Sequence, residues 1–415
     1  MVRSPARLSP DVAAPARPEP AEPAEPAEPA EPAAPPRRRG VRDRLAAALV
    51  ERVLARADVR IGGDRAWDVR ITDDRFFADV LLRGTLGAGE SYMAGWWHCG
   101  DLEELARRVL VADVEAGLAA LPAYLVPAVL ARLRNDQSVE RSRRVADQHY
   151  SMDNDLFCRF LGTYRMYSAG YFEGSDPGDL DEAQRRKLDL ICRKLELSSA
   201  DHLLDVGGGW GELAHYAAAT YGCRVTSINI SDEQIRFTRD YCRGLPVEVV
   251  KCDYRHLQGR YDKIAAIAMI AHVGYKNHRG FMRVMRDHLA PDGLMLIETT
   301  AKNASSTHMD PWVDRYFFPG ALFPSAHQLG AAVDGLFVVE DWQNFWASYI
   351  HTLRAWNRNF HASWPVLSAR YPESTRRMFE YFFLTGAGGF HARLLNYWHL
   401  LLAPLTRRRP APQLR

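Results

Sequence analysis

Leu203-Leu204-Asp205-Val206-Gly207-Gly208-Gly209-Trp210-Gly211 is a short apolar run that breaks into glycines and opens a helix at Glu212. It reads as a β-strand, a tight turn and a helix. Gly207 and Gly209 carry no Cβ, so the backbone can approach a ligand closely. The first N–H groups of the helix that follows have no intrahelical partner and favour an anion. Any sharp strand-to-helix turn in an α/β protein can look like this, so the spacing has to decide. It is Asp-x-Gly-x-Gly rather than the dinucleotide Gly-x-Gly-x-x-Gly, and the Lys-Ser/Thr of a phosphate loop is missing. The spacing predicts an S-adenosylmethionine (SAM) site, with the loop facing the amino-acid end of the cofactor.

The sequence downstream keeps alternating as a doubly wound α/β sheet requires. Cys223 to Ile230 reads as a strand, and Ser231 as the N-cap of a helix in which Gln234 points back to the strand end at Asn229, where a ribose belongs. Further strands are expected at Val247 to Lys251, Tyr261 to Ile270 and Gly293 to Thr300. Each ends in polar residues, among them Asp253 and Tyr254, and in an open parallel sheet the ligand crevice lies at those carboxyl ends.

Several longer stretches carry a resemblance. They are Gly89 to Trp97, Gln148 to Phe157, Tyr167 to Phe172, Ile230 to Gln234, His272-Val273-Gly274, Asp310-Pro311-Trp312, Phe318-Pro319-Gly320 and Asp341 to Phe345. In these the chain resembles the cyclopropane-fatty-acid synthase family, which includes the mycolic acid cyclopropane synthases and related SAM-dependent lipid methyltransferases. The resemblance runs from about residue 85 to about 400. It implies a class I, Rossmann-like methyltransferase fold, an unsaturated phospholipid acyl chain as substrate, and closure of Tyr167 and Ser168 over the cofactor. In such chemistry an alkene attacks the SAM methyl, a carbocation forms, and a base removes a proton. The cation needs a dry aromatic channel. Tyr171, Phe172, Tyr316, Phe317, Phe318, Trp342, Phe345, Tyr349, Trp356 and Phe360 are the candidates for its lining, although any one of them can equally be core.

By the resemblance, family members hold a bicarbonate ion as the base. They use a Cys backbone, a Glu before His-Val-Gly, a His at a later strand end and a Tyr downstream. Here those positions read Ala169, Ala271, Glu298 and Tyr349. Two anions in a dry pocket repel, so bicarbonate is not expected to bind in the family's manner. Glu298 is then the expected base, its pKa raised by burial, with Tyr349 orienting it and His272 as the third catalytic candidate. A relocated base allows a methyl-branched or methylene product as well as a cyclopropane. Alternatives are C-methylation of a polyprenyl or other natural-product alkene, and an inactive lipid- or SAM-binding relative.

The 415 residues carry a formal net charge of +2, and no nucleic-acid motif appears. The six cysteines show no metal-ligand spacing, so no metal is expected, and a reducing cytoplasm suits them. The chain shows neither an apolar run of membrane-spanning length nor the apolar core of a signal peptide. Ala-Glu-Pro triplets between Pro18 and Pro32 predict a disordered tail over residues 1–40. Residues 41–135 read as a small α+β domain with an Arg-rich first helix, packed on that domain or lying on a membrane surface. Residues 136–405 read as the catalytic domain, with a lipid-binding insertion at about 305–360. The expected protein is cytoplasmic, peripheral to the inner face of the membrane, and a possible homodimer.

Overall fold

The computed structural model describes residues 41–113, 154–173 and 178–414. The tail over 1–40, the helix expected at Leu121 to Leu133, the arginines at 141, 143 and 144, and the start of the Gln148 motif lie outside the described residues.

A seven-stranded sheet in the order β5-β4-β3-β6-β7-β9-β8 forms the centre. Its parallel part is β3 (His202–Val206), β4 (Arg224–Asn229), β5 (Val247–Lys251), β6 (Tyr261–Ile267) and β7 (Leu289–Lys302). These strands are the apolar runs of the sequence, and β3, β6 and β7 are buried almost throughout, as a sheet covered on both faces demands. The far edge adds β8 (Phe337–Asn344) and β9 (Leu395–Pro404). β9 slots between β7 and β8, antiparallel to both. The stretch at about 305–360 is therefore only partly an insertion, because β8 is the edge strand of the sheet itself.

Helices α6 (Leu180–Lys194), α7 (Glu212–Tyr216), α8 (Asp232–Tyr241), α9 (His278–His288) and α11 (Ala326–Val333) cover the sheet, and α10 (Pro311–Tyr316) follows β7. Asp310 caps α10 by accepting from the N–H groups of Trp312 and Val313, and Pro311 sits where its missing N–H costs nothing. Two long helices, α12 (Trp346–Leu367) and α13 (Glu373–His391), then pack on each other and on α5 (Asn154–Leu161), and a dense aromatic core fills the space between them.

The N-terminal elements are α1 (Val41–Arg56), α2 (Arg75–Arg83), α3 (Thr85–Met93), α4 (Leu102–Val111) and the hairpin of β1 (Val69–Ile71) with β2 (Trp97–Cys99). These four helices and the hairpin share a core that Tyr381 and Leu384 of α13 help to complete. Arg377 of α13 is buried beneath it. Its guanidinium donates to the carbonyls of Tyr92 and Trp97 and lies 4.0 Å from the Tyr92 ring centroid. Gly89 is needed at a close approach: a Cβ there would come within 2.3 Å of the Trp312 ring. Two of the recognised sequence stretches thus meet in space.

Candidate active site

A cavity of about 240 Å³ opens at the carboxyl ends of β3 to β7. Tyr167, Ser168, Asp205, Gly207, Gly209, Asn229, Gln234, Asp253 and Tyr254 all line it, and so do His272 and Tyr349. The sequence reading missed Arg165, Glu212, Met269, Thr300 and Phe323, whose side chains carry no local motif.

The glycine turn is built as its spacing implies. Gly207 and Gly209 adopt φ of 78° and 54°, which a side chain resists. Gly208 is required for a different reason, because a Cβ would lie 1.9 Å from Ser227 Oγ. Ser227 donates a 3.2 Å hydrogen bond to Asp205, whose complete burial pushes its pKa up to about 7 despite that bond. At the end of β4, Asn229 Nδ2 donates to Gln234 Oε1 at 2.9 Å, while Asn229 Oδ1 accepts the N–H groups of Ile230 and Ser231. This fixes the Gln234 amide at the strand end where the sequence put it. Asp253 caps the turn at Tyr254 and pairs with Arg255 at 2.9 Å.

Ser168 is held from behind, its carbonyl accepting from Gln184 Nε2 at 2.9 Å and its hydroxyl from Lys187 Nζ at 2.6 Å. His272 ends a short 3₁₀ turn and stands edge-on to Phe318, with ring centroids 5.7 Å apart. Burial lowers its pKa to about 4, so the imidazole is neutral at pH 7. The residues present fit SAM: glycine backbone at one end, polar strand ends along the floor, and an aromatic wall opposite.

Glu298 is placed differently from the sequence expectation. It is fully buried and lies behind the cavity wall. Oε1 accepts from the Tyr397 hydroxyl at 2.6 Å and sits 3.8 Å from Lys187 Nζ, and Oε2 pairs with His399 Nε2 at 2.7 Å. The expected rise in its pKa does not occur. Burial pushes it up, but Lys187, His399 and Tyr397 outweigh burial and hold the carboxyl below its ordinary value. Burial in turn lowers Lys187 to about 8. The N–H of Ala169 is directed 3.3 Å to the Tyr397 hydroxyl, and Ala271 offers no acceptor. The family's ion does not fit here, since its backbone donor is engaged and a carboxylate already stands in its surroundings.

Most of the expected aromatic lining is core. Trp342 packs on Trp398 at 5.1 Å, Phe345 on Tyr397 and His399, Phe317 stacks on Phe382 at 3.8 Å, and Phe360 stacks on Phe379 at 4.8 Å. Trp356 is fully buried and touches Tyr167. Of the ten, only Phe318 and Tyr349 face the cavity, joined there by Phe323. Aromatic identity in a sequence does not say which layer a ring enters.

The family model for mycolic acid cyclopropane synthetase matches residues 137–400. The chain belongs to that family. It is 38% identical over 355 residues to the cyclopropane-fatty-acyl-phospholipid synthase of Escherichia coli, covering 86% of this chain and 92% of the other. It is 32% identical over 360 residues to tuberculostearic acid methyltransferase UfaA1 of Mycobacterium tuberculosis, covering 78% and 81%. Among solved structures, the cyclopropane synthase MmaA2 of the same organism superimposes with a TM-score of 0.59 at 23% identity, over 63% of this chain and 98% of that one. Coclaurine N-methyltransferase superimposes with a TM-score of 0.63 at 22% identity, over 77% and 99%. At these identities the structural matches establish the class I methyltransferase fold. As a member of the family, the protein is a SAM-dependent methyltransferase.

Proposed function

We propose that the enzyme methylates the double bond of an unsaturated acyl chain of a phospholipid, giving a cyclopropane, a methyl-branched alkene or a methylene chain. One observation carries the reading: a single cavity holds the glycine turn and strand-end polar residues at one side and Phe318, Phe323, Tyr349 and His272 at the other. SAM, when bound, supplies an electrophilic methyl. The aromatic wall keeps water from a carbocation and offers it π faces. Such a cation releases a proton to a weak base, and the neutral His272 imidazole, edge-on to Phe318, is a free lone pair on that wall. Glu298 acts from behind as a fixed anion that offsets Lys187. The base is then His272 rather than Glu298, and proton removal needs no bicarbonate.

The exposed Leu45 and Leu49 of α1 and Leu82 of α2 support peripheral binding to a bilayer, since α1 already packs inward through Ala47 and Val50. None of the described helices is long and apolar enough to cross a membrane. A cytoplasmic location at the inner membrane face accords with that reading.

The test is mass spectrometry of unsaturated phospholipid vesicles incubated with purified enzyme and SAM in decarbonated buffer. A gain of fourteen mass units on the acyl chain is expected. Turnover that appears only on adding bicarbonate overturns the assignment of the base, and no gain on any unsaturated lipid overturns the substrate.

A further inference from the structure

Arg165 lines the cavity beside Ser168 and the glycine turn, and neither the sequence motifs nor the acceptor chemistry accounts for it. Its backbone is unusual. It adopts φ of 43°, in the left-handed region that non-glycine residues rarely enter and that clusters at functional positions.

The side chain is held on three sides. Nε donates to Glu212 Oε1 at 2.8 Å, and the guanidinium lies over the rings of Tyr241, at 4.6 Å, and Phe237, at 5.0 Å. Tyr241 in turn donates to Glu212 Oε2 at 2.9 Å. These contacts fix the plane of the guanidinium while using only one of its nitrogens. The two terminal nitrogens have no hydrogen-bond partner among the described residues. An Arg fixed in this way presents a planar fork suited to a carboxylate.

The cavity offers little else of the right charge. Arg255, at the far end beside Tyr254, is engaged with Asp253, and His272 is neutral. The acids on the glycine side, Asp205 and Glu212, both pushed up to about 7 by burial, accept from a cation such as an α-ammonium and offer a carboxylate no positive charge. SAM brings both signs at its amino-acid end, so its carboxylate needs a positive group on that side.

Resting on the SAM reading of this cavity, we propose that Arg165 holds the α-carboxylate of the cofactor's amino-acid end. Glu212, Tyr241 and Phe237 act as positioning residues that aim the guanidinium. The other reading is that Arg165 only neutralises the buried Glu212.

The experiment is calorimetric titration of the full chain with two ligands. S-adenosylhomocysteine carries the carboxylate, and 5′-methylthioadenosine keeps the nucleoside and sulfur but lacks the amino acid. For Arg165→Gln, S-adenosylhomocysteine should bind about ten- to a hundredfold more weakly, the usual worth of a hydrogen-bonded charge. Methylthioadenosine should be unchanged within about twofold. Arg165→Lys keeps the charge and the partner of Glu212, so it is the variant to use if Arg165→Gln does not fold. It should lose a smaller part of the same ligand-specific affinity. Equal losses for both ligands, or none for S-adenosylhomocysteine, overturn the proposal. Failure of the unaltered protein to bind either ligand would instead overturn the SAM reading.

Discussion

Tyr397 on β9 donates a 2.6 Å hydrogen bond to Glu298 on β7, and the same hydroxyl accepts the N–H of Ala169. One phenol thus ties a buried carboxylate to the loop that carries Ser168 into the cavity. With Lys187 and His399 it completes the shell of a charge that no water reaches.

Glu298 is expected to matter for stability before it matters for chemistry. Glu298→Gln leaves Lys187 buried without its anion, and breaking such a pair typically costs about 3–5 kcal/mol. Tyr397→Phe leaves a buried acceptor and a buried N–H unpaired, for about 1–3 kcal/mol. Urea denaturation measures both. If Glu298→Gln keeps full stability but loses turnover, Glu298 is the base after all.

His272 should separate chemistry from cofactor binding. Replacement by Gln removes the basic ring nitrogen facing the substrate while keeping much of the volume. A kcat lower by about a hundred- to ten-thousandfold is expected, with affinity for S-adenosylhomocysteine within a few fold. Undiminished kcat in steady-state assays on lipid vesicles would leave His272 with no part in the proton transfer.

Adjacent glycines of the turn should fail in different ways. Gly208→Ala drives a methyl into Ser227 and Asp205, so a loss of about 1–3 kcal/mol in fold stability is expected, as for overpacking. A Cβ on Gly209 meets nothing within 4 Å, so Gly209→Ala should cost only about 1 kcal/mol for its positive φ. Because Gly209 lines the cavity, that methyl should still reduce cofactor affinity at least about tenfold. Thermal melts paired with titration distinguish the two, and the idea is sunk if Gly209→Ala binds S-adenosylhomocysteine normally.

Acid sensitivity has an identifiable source in α9. His278 is buried, and burial lowers its pKa to about 4. In the unfolded chain it takes up a proton near its ordinary value of about 6.5, so the unfolded state binds more protons between these values. Stability therefore falls as pH drops from about 6.5 to 4, by about 3 kcal/mol from this residue. His278→Phe should flatten that part of the pH–stability curve. An unchanged slope in denaturation series across the window would assign the acid sensitivity elsewhere.

Local spacing made the glycine-turn side of the cavity legible. Gly207, Gly209, Asn229, Gln234 and Asp253 stand at strand ends or helix caps, and a few neighbours in sequence determine those positions. The acceptor half depends on register between distant strands. Glu298 faces His399 across β7 and β9, 101 residues apart, and nothing near either residue announces the pairing. The aromatics are illegible for a related reason: α13, which supplies Phe379, Phe382 and Phe383, decides which rings are shut into the core, and nothing in the sequence beside those rings reports its packing. Arg165 escaped notice because an arginine two residues before Tyr167 looks like any solvated cation until its backbone angle and its ring neighbours are seen.

The place of β9 between β7 and β8 also sets an order of events during synthesis. On the ribosome, β4, β5, β6 and β7 each emerge after a strand they pair with, β4 and β6 adding on either side of β3. β8 then emerges with no partner, because the strand it pairs with begins only at Leu395. Until that strand arrives, two open edges and the side chains of Lys187 and Glu298 remain wet, and the half-made sheet is a target for chaperones and for sticking to its own copies. The buried charges of Lys187 and Glu298 are therefore shut away from water only when Tyr397 and His399 arrive with β9.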